Sequence, residues 1–306
     1  MPARSVLSVL WLALLAATLV GCEDPSANPA SPPPITDAEV LTHDVWNDGR
    51  AEVAFYRVQR ARDQYGTPTE QQFLVGSYLV KHRFSPEEMT KKTDGSGVPS
   101  FKYALFYELE SGSYQYKRNW VVNARQKDLR PYKQSFSSFD WCSNQYREMA
   151  FPPDGAIQVR MRSDDYGNRR TSFDRRPRAY PPAQVPLLIR GLDRRRDTLS
   201  FSVAVADSSS FVPAEAVVRG RDSVDTEAGR FGAERIEVTY DAPVPSPIAE
   251  TTARTETYWV GVGPQRRLLR MEGGGGRYRM ALVEHLRTPY WTENIWDQLD
   301  RVDERP

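Results

Sequence analysis

Cysteine and histidine are scarce in this chain, and their scarcity closes several chemical routes. Of 306 residues only two are cysteines, Cys22 and Cys142, and three are histidines, His43, His82 and His285. Cys22 stands at the end of an N-terminal apolar run. If it is consumed there, Cys142 has no partner for an intrachain disulfide, and the fold must rest on an apolar core. The histidines lie far apart in sequence and make no metal-ligand spacing with the spare thiol, so neither a metal nor a cofactor is expected. An excess of charge of one sign is also absent: 41 Lys and Arg face 40 Asp and Glu. That balance argues against nucleic acid as the main partner, because a phosphate binder carries a clear basic excess. The N-terminal apolar run falls short of the roughly 20 residues that a membrane-spanning helix needs.

The N-terminus reads as an export signal. Arg4 precedes an almost unbroken apolar stretch from Val6 to Ala17, a basic start and an apolar middle of signal-peptide length. The stretch ends in Leu19-Val20-Gly21-Cys22, which resembles the lipobox of bacterial lipoproteins. The resemblance implies cleavage before Cys22, diacylglycerol on its thiol, and usually an acyl group on the new amino terminus. A plain signal peptide with a chance cysteine is the alternative. Acyl chains bury methylenes at ~0.8 kcal/mol each, so two or three chains anchor stably. Removing residues 1–21 takes away Arg4 and no acidic residue, leaving 40 charges of each sign. Residues 22–35 are rich in proline and read as an extended tether. The expected address is the cell envelope, with the chain held to a membrane by lipid on Cys22 and the leaflet left open.

Beyond the tether, residues 36–306 read as a β-rich envelope domain. A short helical lead-in at Thr36-Asp37-Ala38-Glu39-Val40-Leu41 has a capping residue and an acidic first turn. Alternation then dominates, beginning at Ala51, Val53 and Phe55 and returning over 72–82. Further strands are expected over 101–109, 112–123, 134–139, 141–151, 156–162, 185–190, 199–206, 214–221, 234–240, 255–262, 267–272 and 278–287. Strands punctuated by Gly, Pro and Asp turns imply mostly antiparallel pairing. The fold class is mainly β, a large curved antiparallel sheet or an open or half barrel, closed by a short C-terminal helix over 292–302. Arg, Pro and Asp accumulate near 169–186, which divides two lobes or forms a long loop within one sheet.

Two stretches resemble known families. Trp46-Asn47-Asp48-Gly49-Arg50-Ala51-Glu52-Val53, with Tyr56 and later Trp141-Cys142, resembles uncharacterised bacterial lipoproteins that circulate under a "septum formation inhibitor" label. That likeness spans roughly 44–151 and brings no active site with it. Tyr258-Trp259-Val260, Leu268-Leu269-Arg270-Met271-Glu272 and the strand from Tyr278 to Glu284 resemble the end of periplasmic half-barrel proteins, including the lipoprotein-carrier fold. That second likeness implies a curved sheet whose apolar concave face can hold acyl chains.

Candidate chemistry is thin. Trp141-Cys142-Ser143 offers a thiol without a nearby histidine, so the structural reading, a buried thiol beside a tryptophan on a central strand, is preferred to a nucleophile. Asp48-Gly49 and Asp154-Gly155 read as tight turns. Asp164-Asp165 lacks the spacing of a calcium loop and reads as a solvated turn. Gly273-Gly274-Gly275-Gly276 opens no helix, so it is a hairpin connection and not a phosphate cradle. The arginine runs near 169–178 and 194–196 are diluted by Asp174, Asp193 and Asp197 and read as solvated loops. Tyr103, Phe106, Tyr107, Tyr114, Tyr116 and Trp120 crowd one region and are candidates to line an apolar ligand pocket, although aromatic residues also simply fill β cores. Two functional readings follow. One is a non-catalytic structural or interaction lipoprotein, partnered by the membrane and an envelope protein. The other is a carrier for lipid or another apolar ligand.

Overall fold

Strand β1 (Ala51–Gln64) shows how alternation becomes architecture. Ala54, Tyr56 and Val58 share one face and join the main core, while Ala51, Val53 and Phe55 join a separate, smaller cluster on the other face. Burial of both faces explains why Val53, Ala54, Phe55 and Tyr56 are apolar in succession. The computed structural model describes residues 34–64, 67–111 and 114–295, which fall in one unit beginning at Pro33. The expected signal, the lipidation site Cys22, the tether up to residue 33 and the residues after 295 lie outside the described ones.

The remaining strands are β2 (Thr67–Ser85), β3 (Thr90–Lys92), β4 (Val98–Ser111), β5 (Tyr114–Arg125), β6 (Pro131–Phe139), β7 (Asn144–Ala150), β8 (Ile157–Ser163) and β9 (Arg169–Phe173). After them come β10 (Ala179–Tyr180), β11 (Thr198–Val205), β12 (Ser210–Thr226), β13 (Gly229–Pro245), β14 (Thr252–Gly261), β15 (Leu268–Gly273) and β16 (Tyr278–Thr288). They form one curved sheet in the order β10-β11-β12-β13-β14-β15-β16-β1-β2-β4-β5-β6-β7-β8-β9, with β3 on β2. All pairs are antiparallel except β10 with β11. Thus the first and last strands, β1 and β16, pair in the middle of the sheet, and the 169–186 region supplies both outer strands. Among the described residues no ladder joins those edges. Side chains approach instead: Phe173 meets Phe211 edge to face with centroids 5.2 Å apart, and Arg147 and Arg169 both reach Asp207. The result is an open barrel.

One expected strand is a helix. Residues 185–190 belong to α2 (Val185–Gly191), which has proline in its first turn and every residue buried. A short apolar run cannot be assigned from periodicity alone, and a helix apolar on all sides is one surrounded by protein. It packs among inner-face residues and fills one end of the barrel, against the short lead-in helix α1 (Ala38–Thr42), whose N-cap is Asp37. Close contact there needs Gly191, since a Cβ would fall 2.8 Å from Leu129 and 3.0 Å from Leu41. Arg190 fixes the helix to the wall through a buried ion pair with Glu52 at 2.9 Å and bonds to the carbonyls of Gln265 and Arg266. The expected 141–151 strand starts at Asn144, after a turn. Of the expected C-terminal helix, Thr292 to Ile295 are not helical, a turn ending at Thr292 and bends following, and the rest lies outside the described residues. No described helix is long and apolar enough to cross a membrane.

Candidate functional site

Register decides which candidate aromatics meet. In the β4–β5 pair Tyr103 faces Val122, Leu105 faces Trp120, Tyr107 faces Arg118 and Leu109 faces Tyr116. Directly opposed residues share a face, and this set points inward. Phe106, one residue out of phase, is on the outer face, over Gly76 and with its ring 6.2 Å from that of Tyr78. The expected six-residue cluster therefore does not converge. Tyr103 is sealed in the core, where burial raises its phenol far above the usual range. Tyr114 is an exposed rim residue with its ring 5.9 Å from that of Trp141. Tyr107, Tyr116 and Trp120 do come together, on the wall of a cavity of about 520 Å³ at the end of the barrel opposite α2.

The other walls come from β6, β7 and the loop between β13 and β14. That loop folds down into the barrel, burying Ile248 and Ala249, and accepts a hydrogen bond from the Tyr107 hydroxyl at the Pro247 carbonyl, 3.2 Å. Its Glu250, at φ +49°, is clasped by Arg60 at 3.1 Å and Arg118 at 3.2 Å. Burial pushes this carboxyl up, but the two guanidiniums outweigh burial and hold it below its ordinary value. Arg60, 2 % exposed, is a charge facing the lumen; it also grips Gln71 and lies over the Phe73 ring at 5.3 Å. Trp120 packs on Phe136 with centroids 4.4 Å apart, and Arg118 lies 5.1 Å over Tyr116. Nη1 of Arg118, 4.0 Å from an Asp140 carboxylate oxygen, is buried beside this space, as are Nε1 of Trp120 and Oγ of Ser246.

Around the mouth the acidic residues are committed. Asp140 accepts the amides of Cys142 and Ser143 at 2.8 and 2.9 Å, and Asp165 accepts the Ser143 hydroxyl at 2.5 Å. This makes Asp164-Asp165 part of a turn, as expected, and no group of His, Cys, Asp and Glu among the described residues is arranged to hold a metal. Cys142 is corrected: it is exposed in the β6–β7 turn and not buried on a strand, and Trp141 beside it is 72 % exposed. The Asp140 side chain, by binding two successive amides, favours a turn over a strand at this point. The glycine run closes the β15–β16 hairpin with positive φ at Gly274, Gly275 and Gly276. Arg195 and Arg196 fold onto Asp193. Arg60, Arg118, Phe136 and Glu250 were not singled out from sequence. The one signal available was a charge at the inward phase of a strand, at Arg60 and Arg118.

Known proteins share this architecture and little sequence. A β-barrel-like protein of a domain of unknown function (DUF1849) from Brucella abortus superposes with a TM-score of 0.50 at 10% identity, over 78% of this chain and 97% of that one. The likeness is one of fold. No family model matches the chain, and no curated protein does. The half-barrel expectation is thus met at the level of a barrel-like sheet.

Proposed function

We propose that this chain is a lipid-anchored, non-catalytic binding module of the cell envelope, which takes its ligand at the open end of the barrel. The observation that carries the reading is the contrast between the two ends. The middle and one end of the barrel are filled by side chains and α2, whereas the other end keeps a cavity whose walls combine aromatic rings with charged side chains. Pockets of this size with a few convergent polar groups are the usual form of a small-molecule site. A non-catalytic role is favoured because the cavity's carboxylates are tied to arginines, turn amides or a serine, so none is poised as a base beside a nucleophile. The anchor rests on Leu19-Val20-Gly21-Cys22 and the proline-rich stretch after it.

Two measurements on one preparation test the reading. Cells expressing the full chain are labelled with a radioactive or clickable palmitate, and the purified protein is examined by native mass spectrometry. Label on the chain that disappears in Cys22→Ser, together with a co-purifying small molecule that leaves in Trp120→Phe, supports it. An unlabelled chain refutes the anchor, and a ligand-free spectrum under gentle conditions speaks against the binding role. A docking surface for an envelope protein is the second reading, favoured by Phe139, Trp141 and Tyr166, which stand 58 %, 72 % and 70 % exposed at neighbouring hairpin tips.

A further inference from the structure

On the outer wall of the barrel, strand register gathers charges that the fold itself does not use. Across β7, β8 and β9, Glu148 stands opposite Arg160 and Arg160 opposite Arg170, with Tyr146 opposite Arg162 one row nearer the open end. Directly opposed residues share a face, and the exposed positions of β8 show that this face is the outer one. Arg160, Arg162 and Arg170 are all exposed, and none forms an ion pair or hydrogen bond with a described residue. Glu148 is already engaged, accepting the Tyr146 hydroxyl at 2.8 Å and facing Lys133 at 3.8 Å. Asp164 accepts the Asn144 amide at 2.8 Å. Like charges set directly across a ladder destabilise it, so the three arginines are a cost to the fold. Elsewhere on the outer surface this chain sets arginine against carboxylate, as in Arg57 with Glu227 and Arg219 with Glu237.

These arginines line one groove of about 1150 Å³, together with Phe139 and Tyr146. Its charged lining is Arg160, Arg162, Arg169 and Arg170 against Glu148 and Asp164, four positive and two negative, a net of +2. The groups just beyond leave that net unchanged, since Asp207 lies 3.7 Å from Arg169 and Lys133 offsets it beside Glu148. We infer that the groove is a binding site for a phosphate monoester. A carboxylate brings one charge and two coplanar oxygens, which a single guanidinium fork satisfies. Three unpaired forks and two surplus positive charges match a group with three free oxygens and a charge near −2, which a phosphate monoester supplies. The remainder of the ligand extends toward the hairpin tip over the rings of Tyr146 and Phe139, 39 % and 58 % exposed. A small organic phosphate and the headgroup of an anionic lipid both carry this chemistry.

The groove lies outside the barrel, so the inference stands whatever the open-end cavity holds. The full chain, in a non-ionic detergent at constant ionic strength, is titrated calorimetrically with glycerol 3-phosphate and with dihexanoyl phosphatidic acid. Acetate serves as the planar carboxylate. Saturable binding of at least one of the two phosphates is expected, with acetate far weaker. Arg160→Gln and Arg170→Gln should each weaken phosphate binding about 10-fold or more, through loss of one charge-assisted contact. Without ligand, Arg170→Gln should leave the thermal midpoint unchanged or raise it, because it removes a like-charge pair. Equal affinity for the two phosphates identifies a small phosphate as the source. Tighter binding of the lipid identifies a headgroup, and Phe139→Ser should then reduce it. Binding of neither phosphate overturns the inference. Acetate as tight as phosphate, or phosphate binding that survives both arginine variants, overturns it as well.

Discussion

Changing Arg190 to Met removes the cation that ties α2 to the barrel wall while keeping most of the side chain's bulk. Arg190 is 5 % exposed and Glu52 3 %. Their charges meet at 2.9 Å, and the same guanidinium bonds the Gln265 and Arg266 carbonyls at 2.9 Å each. It also stands 6.0 Å over the Trp46 ring. Removing one partner of a buried pair leaves the other uncompensated, which costs about 3–5 kcal/mol. The two carbonyls lose their donor as well, but these terms share one side chain and do not add. A net loss of about 4 kcal/mol is expected, a large part of the 5–15 kcal/mol that holds a domain together. In a domain of this size that corresponds to a fall in the thermal midpoint of roughly 8–16 °C. Denaturant unfolding followed by tryptophan fluorescence reads it directly. The informative comparison is Arg190→Met with Glu52→Leu: removing both charges should recover at least half of the loss, because the penalty lies in the stranded carboxyl. A single variant within ~1 kcal/mol of wild type, or a double variant as unstable as the two singles summed, would refute this account of how the helix is held.

Three other outcomes are expected. Burial, with Lys91 and Lys102 nearby, pushes the His82 imidazole down to about 4 from an ordinary 6.5. Between those values the unfolded chain binds the extra proton, so stability should fall as pH drops from about 6.5 to 4. His82→Gln should flatten that part of the curve, leaving a smaller slope of the same sign from His285, which burial also lowers. At the centre of the β13–β16 wall Glu256 receives the hydroxyls of Tyr240, at 2.6 Å, and of Tyr258 and Tyr278. Tyr258→Phe should cost roughly 1–3 kcal/mol in urea unfolding; a neutral result would mean that the carboxyl group does not depend on this phenol. Lastly, Cys142 should react stoichiometrically with a thiol reagent in the native protein, as an exposed turn residue. Protection until denaturant is added would contradict its position.

The mainly β class and most strand positions were legible because the sequence alternates strictly where one sheet face is buried. β8 is the cleanest case, with Ile157, Val159, Met161 and Ser163 inward and polar residues between them. The misreadings have specific causes. The apolar run Val185–Gly191 has no periodicity to read, since it is enclosed on every side. The short edge strands β9 and β10 pair on one flank only and carry little pattern. The turn at Cys142 is set by the Asp140 side chain, a signal that Trp141 masked by resembling strand sequence.

The candidate site was legible in part, and the split follows from the period of a strand. Tyr103 and Tyr107 differ by an even number of positions and must share a face, whereas Phe106 must oppose them. Parity alone therefore separates Phe106 from the rest before any coordinates are known. What parity cannot supply is depth along the barrel. Tyr103 and Tyr107 lie on the same inner face, yet only Tyr107 reaches the open end, because α2 and the lower core fill the space beside Tyr103. Nor can it supply the loop between β13 and β14, far away in sequence, whose Glu250 bridges Arg60 of β1 to Arg118 of β5. A lumen-facing arginine is costly unless something pairs it, so Arg60 and Arg118 announce a partner without naming it. The folded loop provides that partner, and the cavity lies beside it.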